Sequence, residues 1–290
     1  MLKKSYSQNE IIDYYDKCEI DYRLVWRLKN CMAMHMGYWD DSTRNLSQAL
    51  LRENEVLAER TQLTHKSRVL DAGCGVGGTA IQLAKQFGCR VTGITLPSRQ
   101  VITARKNAKK HGVADQVHFQ RSDYHATPFT SGSFDIIVAV ESFCYANELR
   151  FFKEAFRLLA PGGRLIIADA FATRTSYPHH ENQLMRDWLD NWRVDSLAES
   201  QKLCGALSDL EFIDVEFSDI TKNVLPSSRR LFRWSKQKIF LSRIGERLFI
   251  RDPLQTGNII SAQKQNVALE KGIWQYGLLF ARKPGDPQDL

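Results

Sequence analysis

The stretch Asp71-Ala72-Gly73-Cys74-Gly75-Val76-Gly77-Gly78 sets a carboxylate two positions ahead of three alternating glycines. Glycine tolerates positive φ and carries no Cβ, so such a segment lets a ligand lie against the main chain itself. Helical spacing resumes at Thr79-Ala80-Ile81-Gln82-Leu83-Ala84, and a helix start offers unpaired N–H groups to a polar edge of that ligand. Asp71 is placed to fix the amides of the loop or to reach a cationic group. Two further carboxylates stand at comparable points: Asp123, followed by Tyr124, and Glu141, which closes an apolar run. A glutamate in that position is costly unless paired or solvated, which points it at the mouth of a ligand site.

Elements that hold these residues follow from the apolar periodicity. Val69-Leu70 ends a strand that feeds the glycine loop. Further strands are predicted over Cys89–Thr95, Gln116–Gln120, Phe134–Val140, Arg164–Ala168, Glu211–Ser218 and Trp274–Arg282. Helices are predicted over Ser98–His111 and Glu148–Leu159, the second closed by Ala160-Pro161-Gly162-Gly163. Strands alternating with helices and lacking tight hairpin signals predict βαβ crossovers. The expected fold class is therefore α/β, a seven-stranded, mostly parallel, doubly wound sheet. Ligands of such sheets sit at the carboxyl ends of the strands, where Asp71, Thr95, Leu96, Asp123 and Glu141 all fall.

Composition bounds the rest. The chain has 290 residues, 43% of them hydrophobic, and a net charge of +7. No apolar run nears the roughly 18 residues that span a membrane, and Met1-Leu2-Lys3-Lys4-Ser5-Tyr6 lacks the apolar stretch of a signal peptide, so a cytoplasmic chain is expected. Cys18, Cys31, Cys74, Cys89, Cys144 and Cys204 are scattered, and His179-His180 are adjacent while the other histidines are isolated. Neither set has metal-ligand spacing, and no metal is expected.

Outside the predicted core, residues 65–170, lie three segments. Residues 1–64 form an N-terminal helical lid: Gln8–Lys29 places Ile11, Tyr15, Tyr22, Val25 and Trp26 on one face, Ser47–Arg60 is a second helix, and His35-Met36-Gly37-Tyr38-Trp39-Asp40 turns between them. Residues 171–210 are a helical insertion with Trp188 and Trp192 four apart. Residues 211–290 end the sheet and contain a basic amphipathic insertion, 219–271, with eleven Lys or Arg against four Asp or Glu. There Arg229, Arg230 and Arg233 share a face on a helix starting after Pro226, as a diphosphate grip or an anionic membrane contact would need.

Asp71-Ala72-Gly73-Cys74-Gly75-Val76-Gly77 resembles the first motif of the class I, Rossmann-like S-adenosylmethionine-dependent methyltransferases. Together with His35-Met36-Gly37-Tyr38-Trp39-Asp40, Glu141–Ala146 and Leu159–Gly163 it is similar to the small-molecule branch, which includes sterol, tocopherol and isoprenoid methyltransferases and the cyclopropane fatty acid synthases. The resemblance implies S-adenosyl-L-methionine as cofactor, held by Asp71, Gly73, Cys74, Gly75 and Glu141, with Asp123 and Tyr124 at the adenine. Many members carry an acidic ribose ligand where this chain has Thr95-Leu96, and Gln100 then takes the ribose. In that branch the Tyr-Trp turn and the first helix close over the cofactor, which gives roles to Tyr15, Tyr38 and Trp39. Tyr145 stands where many relatives show a histidine.

The implied chemistry needs an acceptor held in line with an electrophilic methyl. A hydroxyl acceptor requires a base, for which His35, His179, His180, Glu141 or Tyr145 qualify; an alkene acceptor yields a cation that aromatic rings, Tyr15 among them, and a carboxylate would stabilise. Aromatic rings outnumber base dyads, so methylation of carbon in a small lipophilic acceptor is favoured over oxygen. A prenyl diphosphate acceptor and a non-catalytic cofactor-binding scaffold are the alternatives. Nucleic acid is disfavoured because Glu141-Ser142-Phe143-Cys144 lacks the Asn/Asp-Pro-Pro-aromatic stretch of base-nitrogen methylation. Assembly into a homo-oligomer stays open.

Overall fold

The computed structural model describes residues 5–26 and 32–285. Seven strands, β1 (Arg68–Ala72), β2 (Arg90–Thr95), β3 (Val117–Arg121), β4 (Phe134–Val140), β5 (Leu159–Ala172), β6 (Ile213–Asp219) and β7 (Trp274–Arg282), form one sheet in the order β3-β2-β1-β4-β5-β7-β6. β1 to β5 run parallel, and β7 is inserted antiparallel between β5 and β6. The order reverses at β1 and β4, opening a crevice at their carboxyl ends.

Alternation within the strands dictates the two layers. Val69, Ile136 and Val138 face one apolar cluster with α3 (Gly78–Phe87) and α4 (Ser98–Lys110), while Leu70, Ile137 and Ala139 face another with α5 (Glu148–Leu158) and α7 (Ser200–Asp209). The predicted fifth strand is longer than expected. β5 begins at Leu159, straight after α5, because Gly162 adopts φ 73° and the register against β4 shifts between Phe134 and Ile136.

The remaining helices gather over the crevice. α1 (Gln8–Val25) begins at a capping box of Ser7 and Glu10 and is joined, beyond residues outside the described set, to α2 (Leu46–Arg60). The expected continuation of α1 to Lys29 and Cys31 lie outside the described residues. α6 (His179–Leu189) occupies the second insertion, and the basic insertion is a pair of helices, α8 (Thr221–Arg247) and α9 (Pro253–Glu270). α8 starts at Thr221 and carries Pro226 internally, rather than starting after it; the proline forgoes the main-chain bond that an N–H there would make to the Lys222 carbonyl. Small hydroxyls let α8 and α9 approach: Ser228 Oγ donates to Asn266 Oδ1 at 2.9 Å, and Ser242 and Thr256 hydroxyls lie 3.0 Å apart.

Candidate active site

Glycine geometry builds the floor. Gly73 has φ 92°, and both its N–H and that of Cys74 donate to the Ile94 carbonyl at 2.9 Å, folding the loop back over β2. A Cβ on Gly73 would lie 2.3 Å from Ser142 Cβ, so this glycine is required by close packing against the end of β4. A Cβ on Gly75 would meet only the Met34 methyl, at 2.8 Å. Asp71 accepts from the Ala80 amide in the first turn of α3 at 3.2 Å. Burial pushes its carboxyl up to about 7 despite that bond.

At the next strand ends, Thr95 Oγ1 donates to Gln100 Oε1 at 2.8 Å. Asp123 accepts from the His125 amide at 2.9 Å and from Gln8 Nε2 of α1 at 2.7 Å. Burial works to raise Asp123, but these bonds and the His125 ring bring it below the usual carboxylate range. Tyr124 donates its hydroxyl to the Ser142 carbonyl at 3.0 Å, tying the β3 turn to the β4 turn.

Behind the glycine loop runs a buried polar chain. His35 Nδ1 lies 2.6 Å from Glu53 Oε2, which also accepts from the Gly37 amide at 2.8 Å. The Tyr276 hydroxyl lies 2.9 Å from Glu53 and 3.1 Å from Glu141, within donating reach of either, and Glu141 accepts from the Met36 amide at 2.6 Å. Glu141, at φ 46°, is pushed well above the ordinary carboxylate range by burial and then by the charges of Glu53 and Asp169. Asp169, at the end of β5, accepts from the Cys144 amide at 3.0 Å and rises to about 6 through burial.

Most of these groups, though not Glu53 or Gly37, border one cavity of about 210 Å³. Its far half is aromatic and aliphatic, walled by Trp188, Trp192, Leu231, Trp234 and Trp274 and roofed by Tyr15 and Tyr22 of α1. Trp188 and Trp192 meet edge to face at 5.8 Å, as do Tyr15 and Tyr145 at 5.9 Å. Tyr145 accepts a hydrogen bond from the Tyr15 hydroxyl at 3.3 Å and donates to the Trp192 carbonyl at 3.0 Å. Burial raises both phenols above their ordinary value, so they remain protonated donors. No Lys or Arg lines the cavity among the described residues.

Of the residues singled out from the sequence, Asp71, Gly73, Cys74 and Gly75, then Thr95, Leu96, Gln100, Asp123 and Tyr124, then His35, Tyr15, Glu141 and Tyr145 all line this cavity. Tyr38 and Trp39 do not. Gly37, at φ 75° with the Ala49 main chain 2.9 Å from where a Cβ would stand, turns the chain onto α2, and Trp39 Nε1 donates to Ser227 of α8 at 2.8 Å. Their place is a strut between lid and basic insertion. His179 and His180 are exposed and lie outside the lining. The arginine face is also dispersed: Arg229 pairs with Glu270 at 2.9 Å, and Arg230 donates to the Val25 carbonyl at 3.2 Å.

Three residues of the site went unread in the sequence. Glu53 is fully buried between Leu50 and Leu57 on the apolar stripe of α2, and a carboxylate on that stripe was the available signal. Tyr276 shares its strand face with Trp274 and Leu278. Asp169 follows Ile166-Ile167-Ala168 just as Glu141 follows its own apolar run.

Comparison with known proteins decides the family. Residues 69–163 match the model of a methyltransferase domain. An O-methyltransferase of Aspergillus nomiae is 32% identical over 190 residues, which cover 64% of this chain and 83% of that protein. The chain belongs to the S-adenosylmethionine-dependent methyltransferases. A methyltransferase of Streptomyces halstedii is 37% identical over 163 residues, 55% of this chain and 57% of that protein, so the match spans little more than half of that relative. Among solved structures, the geranyl diphosphate C-methyltransferase of Streptomyces coelicolor, bound to Mg2+, geranyl diphosphate and S-adenosyl-L-homocysteine, superimposes with a TM-score of 0.74 at 20% identity, covering 98% of this chain and 100% of that one; the likeness is one of fold.

The methyltransferase's cofactor is S-adenosylmethionine, which supplies an electrophilic methyl group on a sulfonium. The site suits it. Asp71 and Glu141 bring carboxyl groups to the cavity wall, Gly73 and Gly75 line it beside them without side chains, and Asp123 and Gln100 add polar groups to the same lining.

Proposed function

We propose that this methyltransferase acts on a small lipophilic acceptor, an isoprenoid, sterol-like or other natural product, and that carbon is methylated in preference to oxygen. The single observation that supports it is the aromatic half of the cavity, walled by Trp188, Trp192, Trp234 and Trp274 without one Lys or Arg among its described residues. In this reading Asp71, Gly73, Cys74 and Gly75 hold the methionine end of the cofactor, Thr95, Leu96 and Gln100 its ribose, and Asp123 and Tyr124 its adenine. Tyr15 and Tyr145 then present ring faces, and Glu141 a carboxyl, to positive charge that develops on the acceptor. A diphosphate acceptor fits less well, since Arg229 and Arg230 are engaged elsewhere and the cavity border carries acids.

A second reading, methylation of oxygen, is favoured by the buried His35–Glu53 pair. At 2.6 Å the carboxylate orients the imidazole, whose Nε2 makes no hydrogen bond among the described residues. Incubation with methyl-labelled cofactor and a panel of lipophilic alkenes and phenols, with the label located by NMR, tests both. A carbon–methyl product that survives His35→Gln supports the first reading. An oxygen–methyl product abolished by His35→Gln overturns it in favour of the second, and transfer only to prenyl diphosphates overturns both.

A further inference from the structure

The outer end of α8 is built inside out. Its buried face carries Ser228, Ser235 and Ser242 at seven-residue spacing, packed on α9, while the opposite face presents Phe240, Leu241, Ile244 and Leu248 to solvent. The apolar strip continues through the turn into α9. Phe249 is 97% exposed and Ile250 80% exposed, and Phe249 holds φ 56°, a left-handed conformation that a bulky side chain rarely adopts and that turns the chain between the two helices. The other exposed large apolar residues among the described ones, Ile20, Leu51, Ile102 and Leu149, come from separate elements, so six of those ten belong to this one strip. Contiguous exposed apolar surface of this kind marks an interaction site.

Charge around the strip decides the partner. On a helical projection Lys236, Arg243 and Arg247 flank one side of the Phe240–Ile244–Leu248 face and Lys238 the other. All four are exposed, and Lys238, Arg243 and Arg247 have no carboxylate partner among the described residues; Lys236 lies 4.6 Å over the Phe232 ring. Glu246 is the one acid of this stretch of α8. A basic helix with a bulky apolar face and long side chains able to reach headgroups has the chemistry of a bilayer surface rather than of a protein groove. We propose that this tip, Phe240–Ile250, docks the methyltransferase on an anionic lipid bilayer. The tip adjoins the lid: Arg251 pairs with Asp21 of α1 at 2.6 Å, and Gln255 Nε2 donates to the Lys17 carbonyl at 2.8 Å. Insertion there brings the roof of the cavity next to the lipid, a route for a lipophile into the aromatic half. The docking surface stands whichever atom is methylated.

The test is sedimentation of the full chain with vesicles of phosphatidylcholine alone and with about one-third phosphatidylglycerol, at low and high salt. Binding is expected at least about tenfold tighter to the anionic vesicles, weakening with salt. Phe249→Ser with Ile250→Ser, and separately Arg243→Gln with Arg247→Gln, should each lower it about tenfold or more, while calorimetry shows unchanged cofactor affinity and so an intact fold. No binding by the natural chain, or equal binding by both variants, overturns the proposal. So does a concentration-dependent dimer in sedimentation velocity that Phe249→Ser with Ile250→Ser dissolves, because the strip would then belong to a second copy.

Discussion

Glu53 and Glu141 share one hydroxyl: Tyr276 OH lies 2.9 Å from the first, which is fully buried, and 3.1 Å from the second, which is half-buried at the cavity wall. One phenolic proton serves one acceptor at a time. The arrangement is satisfied when Glu141, pushed upward by burial and by the Glu53 charge, retains its own proton. Three elements distant in sequence, α2, β7 and the end of β4, are thereby locked behind the glycine loop.

Tyr276→Phe deletes that shared hydroxyl and leaves the buried Oε1 of Glu53 short of a donor, while Glu141 keeps the Met36 amide. Stability should fall by about 1–3 kcal/mol, a drop of about 2–8 °C in Tm for a chain of this size. Thermal unfolding of the cofactor-free protein measures it. A Tm within about 1 °C of the natural chain would mean that the pair does not depend on Tyr276.

Gly73→Ala and Gly75→Ala should separate packing from ligand approach. At Gly73 the new methyl collides with Ser142 Cβ at a φ of 92°, so Tm should drop sharply, with partial recovery when Ser142→Gly is added. At Gly75, φ 51°, the methyl meets only the flexible end of Met34, so the left-handed backbone should cost only about 1–2 kcal/mol, the protein should still fold, and cofactor affinity should fall. Calorimetry alongside thermal unfolding distinguishes the two, and an unfolded Gly75→Ala protein would contradict the assignment.

Asp71 and Asp169, raised to about 7 and about 6, make the empty protein sensitive to pH. Folded, both keep protons that the unfolded chain releases near pH 4, so their contribution is fully present below that value and is lost as pH rises through the folded values. Asp71→Asn should remove most of the decline in Tm between about pH 5 and about pH 7. Cofactor binding should show the complement: affinity rises from about pH 6 to about pH 8, with proton release that Asp71→Asn abolishes. Calorimetry in buffers of different ionisation enthalpy reads that release directly.

The lid should tighten on ligand. Gln8 to Asp123 and Tyr15 to Tyr145, at 2.7 and 3.3 Å, tie α1 to cavity-lining partners, while Asp21 and Lys17 anchor the helix to Arg251 and α9. Amide exchange over Gln8–Val25 should slow by about tenfold when S-adenosylmethionine binds, and Gln8→Ala should blunt the change. Identical exchange with and without cofactor would make α1 fixed scaffold.

Local chemistry was enough to read the sheet. Val69-Leu70 leading into Gly73, Gly75 and Gly77, the Phe134–Val140 strand and the Trp274–Arg282 strand are all specified by runs of period two or continuous apolar character ended by glycine or acid, signals that act over a few residues. The cavity residues Asp71, Thr95, Asp123 and Glu141 were legible for the same reason: strand ends of a parallel sheet converge, so sequence position fixes spatial position. What folding alone decided were the pairings across distance. The Tyr38-Trp39 turn reads as a cofactor wall, yet Gly37 packs against Ala49 and sends Trp39 to Ser227, 188 positions away. The arginines near Pro226 read as one face, yet Glu270 and the Val25 carbonyl take two of them. Glu53 looks like one more helix acid until Tyr276, Gly37 and His35 close around it. A hydrogen bond or an ion pair is satisfied by whichever partner the packed core delivers, and no spacing along the chain records which one that will be.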